Sequence, residues 1–200
     1  MKYSRYFLLI AFTILSSHFL FGQDKYSTSN PVIRMSTDVG DIEIELYEKQ
    51  APITVGNFLE YISKEMFTGA HFYRAVTMDN QPDNDIRIEV IQGGLGWTDT
   101  VARLDPIRME TTDETGILHL NGTLSMARDA PDSADTEFFI CINDQPDLDY
   151  GGRRNPDGQG FAAFGRVVKG MEVVKEIHLL PNESQMLIEP VMIGKIERVQ

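Results

Sequence analysis

Residue types that commonly perform chemistry occur in this sequence, but their spacing does not form a metal or phosphate site. The scattered histidines lack zinc-ligand spacing with one another or with the cysteine: they are His18, His71, His119 and His178. The run Gly151-Gly152-Arg153-Arg154 lacks the preceding strand and the Lys-Ser/Thr pair of a phosphate loop. The carboxylates follow no calcium-loop pattern. We therefore expect no metal and no organic cofactor.

The single cysteine, Cys141, excludes an intramolecular disulfide. It lies in the apolar run Phe138-Phe139-Ile140-Cys141-Ile142, which predicts a buried strand. A thiol in such a strand is usually a small core residue rather than a nucleophile, because reactivity requires an accessible thiolate. We therefore predict that Cys141 is structural.

Seven short blocks, in contrast, follow one another in a specific order and at specific spacing. They are Ala51-Pro52-Ile53-Thr54-Val55-Gly56-Asn57-Phe58, Phe72-Tyr73-Arg74, Ile91-Gln92-Gly93-Gly94, Gly122-Thr123-Leu124-Ser125-Met126-Ala127, Glu137-Phe138-Phe139-Ile140-Cys141, Leu148-Asp149 and Phe161-Ala162-Ala163-Phe164-Gly165-Arg166-Val167. This series resembles the cyclophilin family of peptidyl-prolyl cis/trans isomerases over roughly residues 32 to 198. The resemblance implies a mainly β fold, a closed eight-stranded antiparallel β-barrel capped by two α-helices. It also implies an enzyme with its active site on the outer face of the barrel, acting on proline-containing polypeptides.

The resemblance assigns roles to individual positions. Arg74 matches the family's catalytic arginine, and Gln92 matches a glutamine that binds the substrate backbone and orients that arginine. Phe139 matches the aromatic floor of the proline pocket and Leu148 its wall, while Phe161 stands where the family has a pocket histidine. The other predicted substrate-binding residues are Val90, Ala127, Arg128 and Glu137.

Each of these residues also has a structural interpretation. Outside its block, Arg74 would be an exposed strand arginine, Gln92 a strand-end glutamine and Phe139 a core residue. Phe138 and Phe139 are neighbours in a predicted strand, so their side chains point to opposite faces. We therefore expect one of the two rings in the core and the other in the pocket.

An arginine suits the chemistry that the resemblance implies. Rotation about a peptide C–N bond is opposed by ~18–20 kcal/mol because of resonance, and unaided exchange of an X–Pro bond takes roughly tens to hundreds of seconds. A catalyst must hold the proline and stabilise the twisted amide better than the planar one. A fixed donor near the amide nitrogen does so, and the guanidinium is always charged and carries several rigid donors.

The sequence departs from the family pattern around the pocket. The departures are Tyr73 for the histidine before the arginine, Glu89 and Val90 for a Phe and a Met, Arg128 for an asparagine, Glu137 for a glutamine, and Asp147 for the tryptophan associated with cyclosporin binding. We expect poor cyclosporin affinity and a shallower proline pocket. We also expect Glu137 to lie near Arg74, where a carboxylate could fix the guanidinium by a bidentate pair or could equally divert it from the substrate. Arg128 could share that carboxylate and relieve the conflict.

Two other functions remain open at this stage. A rebuilt pocket is compatible with a catalytically weak cyclophilin-like module that binds proline-containing segments. The acidic surface and the loop over residues 147–160 are compatible with a structural or interaction protein.

The elements that must position these residues are predicted from hydrophobic periodicity. Strands are expected over residues 32–35, 41–46, 71–76, 86–91, 124–127, 138–142, 161–168 and 187–199, and helices over 51–65 and 171–178. The first helix opens with Pro52 and carries an apolar stripe of Val55, Phe58, Leu59 and Ile62. Gly93-Gly94 is expected to stop its strand, and the segment 95–119, with the only tryptophan, Trp97, is expected to be irregular.

The first 22 residues predict export. Lys2 and Arg5 precede an apolar stretch of 16 residues, Tyr6 to Phe21, which is shorter than the roughly 20 residues of a membrane span. A basic start, an apolar middle and the small Gly22 are typical of a secretory signal peptide. We predict a signal peptide over 1–22, a linker over 23–30 and the isomerase domain over 31–200, with a periplasmic or secreted location. An uncleaved N-terminal anchor is the alternative for residues 1–22.

The formal net charge is −12, and it becomes −14 when Lys2 and Arg5 are removed. Such an acidic chain repels phosphate backbones, so nucleic acid is not expected as a partner. We expect a monomer without stable membrane insertion after signal cleavage.

Overall fold

The computed structural model describes residues 30–96 and 102–200. The predicted signal peptide, the predicted linker except Asn30, and Trp97 lie outside the described residues. The described elements are β1 (Val32–Thr37), β2 (Asp41–Leu46), α1 (Pro52–Ser63), β3 (His71–Val76), β4 (Val90–Gly94), α2 (Thr112–Thr115), β5 (Thr123–Met126), β6 (Phe138–Cys141), β7 (Ala162–Lys169), α3 (Met171–His178), β8 (Asn182–Glu183) and β9 (Met186–Arg198), with a 3-10 turn at Pro146–Leu148. None of the described helices is long and apolar enough to cross a membrane.

Eight of the strands form a closed antiparallel barrel. Their order is β1-β2-β7-β5-β6-β4-β3-β9, and the pairing of β9 with β1 closes the ring. The short β8 pairs with β9 outside the ring. Every pairing in the sheet is antiparallel, so the predicted barrel is confirmed.

The two predicted helices are present and pack against the barrel. In α1, Val55 and Phe58 are fully buried, and the Phe58 ring lies 5.3 Å from that of Phe164. In α3, Val174 and Ile177 are fully buried, and the helix contacts β2, β3 and β4. The third helix, α2, was not predicted, because four residues are too short to show a period.

A buried carboxylate holds the start of α1. Ala51, which precedes the helix, makes no side-chain cap. Glu110 takes its place: its carboxylate accepts the backbone N–H groups of Ile53 at 3.1 Å and Thr54 at 2.8 Å, and the Thr54 hydroxyl at 2.8 Å. A negative charge is favourable at a helix N-terminus. The irregular segment after β4 is therefore tied to α1.

The predicted strand over 86–91 is wrong at both ends. Before β4, the Gln81 side chain occupies the backbone groups of Ile88, since it donates to the carbonyl at 2.8 Å and accepts from the N–H at 3.3 Å. At the other end Gly93 and Gly94 continue the strand instead of stopping it. A Cβ at Gly93 would lie 2.9 Å from the His71 carbonyl oxygen, so the strand needs glycine there.

Phe138 is at the centre of the aromatic core. It is fully buried, and its ring meets those of Phe58, Phe67 and Phe72 edge to face at 5.6, 6.2 and 5.8 Å. Edge-to-face contacts add to the free energy of burying the ring. The core contacts of Phe138 therefore link α1 to β3 and β6.

We expect Phe138→Ala to lower the free energy of unfolding by about 3–5 kcal/mol, because it leaves a cavity among packed rings. Urea denaturation followed by circular dichroism measures the change. Val168→Ala is the control, since Val168 is 54% exposed and its truncation should cost less than about 0.5 kcal/mol. Equal losses in the two variants would contradict the assignment of Phe138 to the core.

Candidate active site

One cavity of about 590 Å³ lies on the outer face of the barrel, where β3, β4 and β6 turn alternate side chains away from the core. All nine residues predicted for the site line it: Arg74, Val90, Gln92, Ala127, Arg128, Glu137, Phe139, Leu148 and Phe161. Other lining residues, which the sequence reasoning missed, include Ile88, Arg103 and Arg154. The structure therefore brings together residues that are up to 87 positions apart, from Arg74 to Phe161.

The apolar wall of the cavity belongs to a small hydrophobic cluster separate from the main core. Val76, Ile88, Val90, Phe139, Cys141 and Leu148 form it, with Ala127 and Phe161 packed against it. Phe138 belongs to the main core, so the predicted division between Phe138 and Phe139 is confirmed. Phe139 and Phe161 meet edge to face at 5.3 Å and supply two rings at right angles.

A buried polar triplet supports the Phe139 ring from behind. The His119 ring stacks on Phe139 at 5.8 Å with an interplanar angle of 15°. Its Nδ1 lies 2.7 Å from the Asp149 carboxylate and its Nε2 lies 2.9 Å from the Ser125 hydroxyl. His119 and Ser125 are almost completely buried and Asp149 is partly exposed, so the triplet supports the aromatic floor from within the protein.

The prediction that Cys141 is structural agrees with its surroundings. The side chain is fully buried in the same small cluster as Phe139. Burial raises the pKa of the Cys141 thiol far above its ordinary value, which suppresses the reactive thiolate.

The guanidinium of Arg74 is held by two neutral amides. Its Nη1 donates to Gln92 Oε1 at 2.8 Å, while its Nε and Nη2 donate to Gln185 Oε1 at 3.0 and 2.5 Å. Burial lowers the pKa of Arg74 below its usual value, although an arginine this basic stays charged. Three of the five N–H groups are thus engaged, and two have no partner in the described part of the chain.

Gln185 was not predicted as a site residue. It lies in the two-residue turn between β8 and β9, where Ser184 and Gln185 both have positive φ, at 49° and 75°. Its Nε2 donates to the Asn80 carbonyl at 3.1 Å and its own carbonyl accepts the Ala75 N–H at 2.9 Å. A turn that places non-glycine residues in this region costs free energy, and such strain is often found at functional sites.

The expected pair between Glu137 and Arg74 is wrong. The Glu137 carboxylate instead accepts the Tyr73 hydroxyl at 2.6 Å, the Gly96 N–H at 3.0 Å and the Thr136 hydroxyl at 2.9 Å. Its nearest cation is Arg103, at 3.7 Å. The Tyr73 and Thr136 hydroxyls therefore satisfy the Glu137 carboxylate. The Arg74 side chain, one position further along the strand, is directed toward Gln92 and Gln185 instead.

Arg128 does not share the Glu137 carboxylate either. Its Nη1 and Nη2 pair with the Asp157 carboxylate at 2.8 and 2.9 Å, and its Nε donates to the Gly160 carbonyl at 2.9 Å. The guanidinium carbon also lies 5.2 Å from the centre of the Phe161 ring. Arg128 lines the cavity while bracing Phe161 and the loop before β7.

The pocket positions expected at Glu89 and Val90 are filled by Ile88 and Val90. Glu89 accepts a hydrogen bond from the Asn143 amide at 2.9 Å and is absent from the cavity lining. Asp147, at the position linked to cyclosporin binding, pairs with Arg153 at 3.3 Å. Two aliphatic side chains therefore take the places of the larger pocket residues.

A family model described as cyclophilin type peptidyl-prolyl cis-trans isomerase/CLD matches residues 32–198. A peptidyl-prolyl cis-trans isomerase of Acinetobacter baylyi is 33% identical over 160 residues, covering 80% of this chain and 78% of that protein. Peptidyl-prolyl cis-trans isomerase B of Escherichia coli is 35% identical over 150 residues, covering 73% of this chain and 83% of that protein.

A solved structure has the same fold. The cyclophilin type peptidyl-prolyl cis-trans isomerase of Cryptosporidium parvum, crystallised in the presence of the dipeptide Ala-Pro, superposes with a TM-score of 0.68 at 21% identity. The match covers 84% of this chain and 99% of that one. At this identity the likeness supports the barrel and its helices alone.

Proposed function

Because the chain belongs to the cyclophilin family and is a peptidyl-prolyl cis-trans isomerase, we propose that its cavity binds X–Pro segments and that Arg74 stabilises the twisted amide. The observation that carries the proposal is the placement of a fixed guanidinium beside an apolar wall. The wall can hold a proline ring, and the guanidinium keeps two N–H groups for the substrate.

The apolar wall provides the binding half of the mechanism. Val90, Phe139, Leu148 and Phe161 present side chains without donors or acceptors to the cavity. Burying the ring of a proline against them removes apolar surface from water, which favours binding of both isomers. The wall therefore holds the ring while the rest of the peptide rotates.

Arg74 provides the catalytic half. When the X–Pro amide twists, the nitrogen lone pair leaves conjugation and becomes an acceptor. A donor that is already in place stabilises this state without reorganising, and it gains little from the planar amide. The reaction breaks no covalent bond, so no base, nucleophile or metal is required for this step.

A chain of hydrogen bonds sets the direction of the Gln92 amide. The Glu137 carboxylate can only accept, so the Tyr73 hydroxyl donates its hydrogen bond to Glu137, and the Tyr73 oxygen accepts one from Gln92 Nε2 at 2.8 Å. The Gln92 Oε1 must then face Arg74. Glu137 and Tyr73 thereby act on Arg74 through Gln92, which makes them positioning residues.

We also propose that the clients are exported proteins. The support is the basic start and apolar stretch within residues 1–22. After removal of that segment we propose a monomer in the periplasm or outside the cell, without membrane insertion.

We expect Arg74→Ala to lower the catalysed exchange rate of X–Pro peptides roughly tenfold or more, the effect of losing about 1.4 kcal/mol of transition-state stabilisation. Exchange NMR on a peptide with one X–Pro bond measures the rate. Arg87→Ala is the control, because Arg87 is exposed and donates to the Met78 carbonyl outside the cavity lining. Equal rates for wild type and Arg74→Ala would remove Arg74 from the mechanism.

The turn that carries Gln185 allows stability and activity to be separated. We expect Gln185→Gly to lower the exchange rate, because the acceptor for two Arg74 donors is lost, while stability changes little, since the relief of positive φ offsets the lost side-chain hydrogen bonds. Ser184→Gly relieves the same kind of strain without touching Arg74, so its rate should stay at the wild-type value. A parallel fall of rate and thermal midpoint in Gln185→Gly would show a merely structural role.

The export proposal predicts a shortened mature chain. Expression of the full sequence in a Gram-negative host, followed by fractionation and mass spectrometry, should give a product that lacks about the first 22 residues outside the cytoplasm. The same chain without residues 1–22 is the control and should stay in the cytoplasm. A full-length cytoplasmic product would overturn the proposal.

A further inference from the structure

Among residues 30–96 and 102–200, four arginines line the cavity, and they fall into two pairs. Arg103 and Arg128 each have a carboxylate partner: Arg103 pairs with Asp135 at 2.9 Å and Arg128 with Asp157 at 2.8 Å. Arg74 and Arg154 have none in the described part of the chain and are bound to neutral oxygens. The chain has 30 acidic and 18 basic residues, so two arginines without carboxylate partners at one cavity are unusual.

Arg154 is held in place by the loop before β7. Its backbone N–H donates to the Asp147 carbonyl at 3.0 Å, and its Nη1 donates to the Ile86 carbonyl at 2.7 Å. The Ile86 carbonyl is two residues from Ile88, which lines the apolar wall. Four of the five guanidinium N–H groups then remain without a partner in the described residues.

The charge of Arg154 is not compensated locally. Burial, followed by the like charge of Arg74, lowers the pKa of Arg154. Of the described carboxylates that line the cavity, Asp135 and Glu137 are bound to Arg103 and to hydroxyl or backbone donors, and Asp129 forms no ion pair with Arg74 or Arg154. A carboxylate bound between Arg74 and Arg154 would relieve the repulsion between them.

We propose that Arg154 binds an acidic side chain of the client, so that the enzyme prefers X–Pro segments with Asp or Glu directly next to the proline. The inference rests on the proposed binding of the X–Pro segment in this cavity. Arg154 supplies the donors, and the nearby positive charge of Arg74 adds attraction while its own donors face the amide. An arginine suits this role because its planar fork matches a carboxylate.

Adjacent positions are within reach of the site. Consecutive Cα atoms lie 3.8 Å apart, so a residue next to the bound proline stays close to the apolar wall. Arg154 lines the same cavity as Ile88 and Leu148, and its hydrogen bonds go to the carbonyls of Ile86 and Asp147, which lie two residues before Ile88 and one residue before Leu148. A glutamate placed before or after the proline therefore tests the two directions in which the peptide can lie.

Six peptides test the proposal: Glu, Gln or Lys directly before the proline, and the same three residues directly after it. Exchange NMR at low ionic strength gives kcat/KM for each. In the wild type we expect the Glu peptide of at least one series to exceed its Gln partner roughly three- to fivefold, the effect of a partly exposed ion pair, and the Lys peptide to fall below it. Added salt should shrink the difference, because it screens the pair.

Variants at neighbouring arginines assign the preference. Arg154→Gln should bring the ratio of Glu to Gln peptides to about one, and Arg154→Lys should keep part of it because the charge remains. Arg153→Gln is the matched control, since Arg153 is exposed, pairs with Asp147 and is absent from the cavity lining. It should keep the wild-type ratio.

Equal rates for Glu and Gln peptides in both series would overturn the acidic-residue site and leave the proposed function standing. A preference that survives Arg154→Gln would overturn the role of Arg154. A wild-type protein that accelerates none of the six peptides would instead contradict the proposed function, and the acidic-residue site with it.

Discussion

The site depends on a partly buried guanidinium that is oriented by neutral partners. Taking a charge out of water is costly unless its donors are satisfied, and Gln92 and Gln185 satisfy three donors of Arg74 without neutralising it. A carboxylate in the same place would form a stronger pair and compete with the substrate amide for the guanidinium. Amide oxygens fix the direction of the donors and leave the full charge available to the twisted bond.

The barrel makes this arrangement rigid by using both faces of the same strands. In β6, Phe138 packs in the aromatic core and Phe139 forms the floor of the cavity. In β4, Ile91 is in the core and Gln92 faces Arg74. A shift of either strand by one residue would exchange the two faces, so the packing of the core also fixes the register of the site.

Short-range patterns were enough to predict most strands, α1 and α3 from the sequence, whereas the closed barrel and nine of the residues that line the cavity followed from the resemblance of the seven blocks to the cyclophilin family. The partners of those residues could not be predicted. Gln185 is 111 positions from Arg74 and reaches it only because β9 pairs with β3 and the β8–β9 turn adopts positive φ. The position of Arg154 at the cavity depends in the same way on the fold of an irregular loop, the one before β7. The limits of β4 were missed because a side chain, Gln81, replaces a neighbouring strand at Ile88.

The departures from the family pattern are coupled to one another through Glu137. A carboxylate accepts hydrogen bonds and donates none, so its burial requires several donors around it, and the Tyr73 and Thr136 hydroxyls and the Gly96 N–H provide them. Space for it comes from Gly94, where a Cβ would lie 2.6 Å from a carboxylate oxygen. The Tyr73 hydroxyl donates to this carboxylate, so its oxygen can only accept the second hydrogen bond, which comes from Gln92 Nε2. Glu137 and Tyr73, at positions where a glutamine and a histidine were expected, therefore orient Gln92 so that its oxygen faces Arg74.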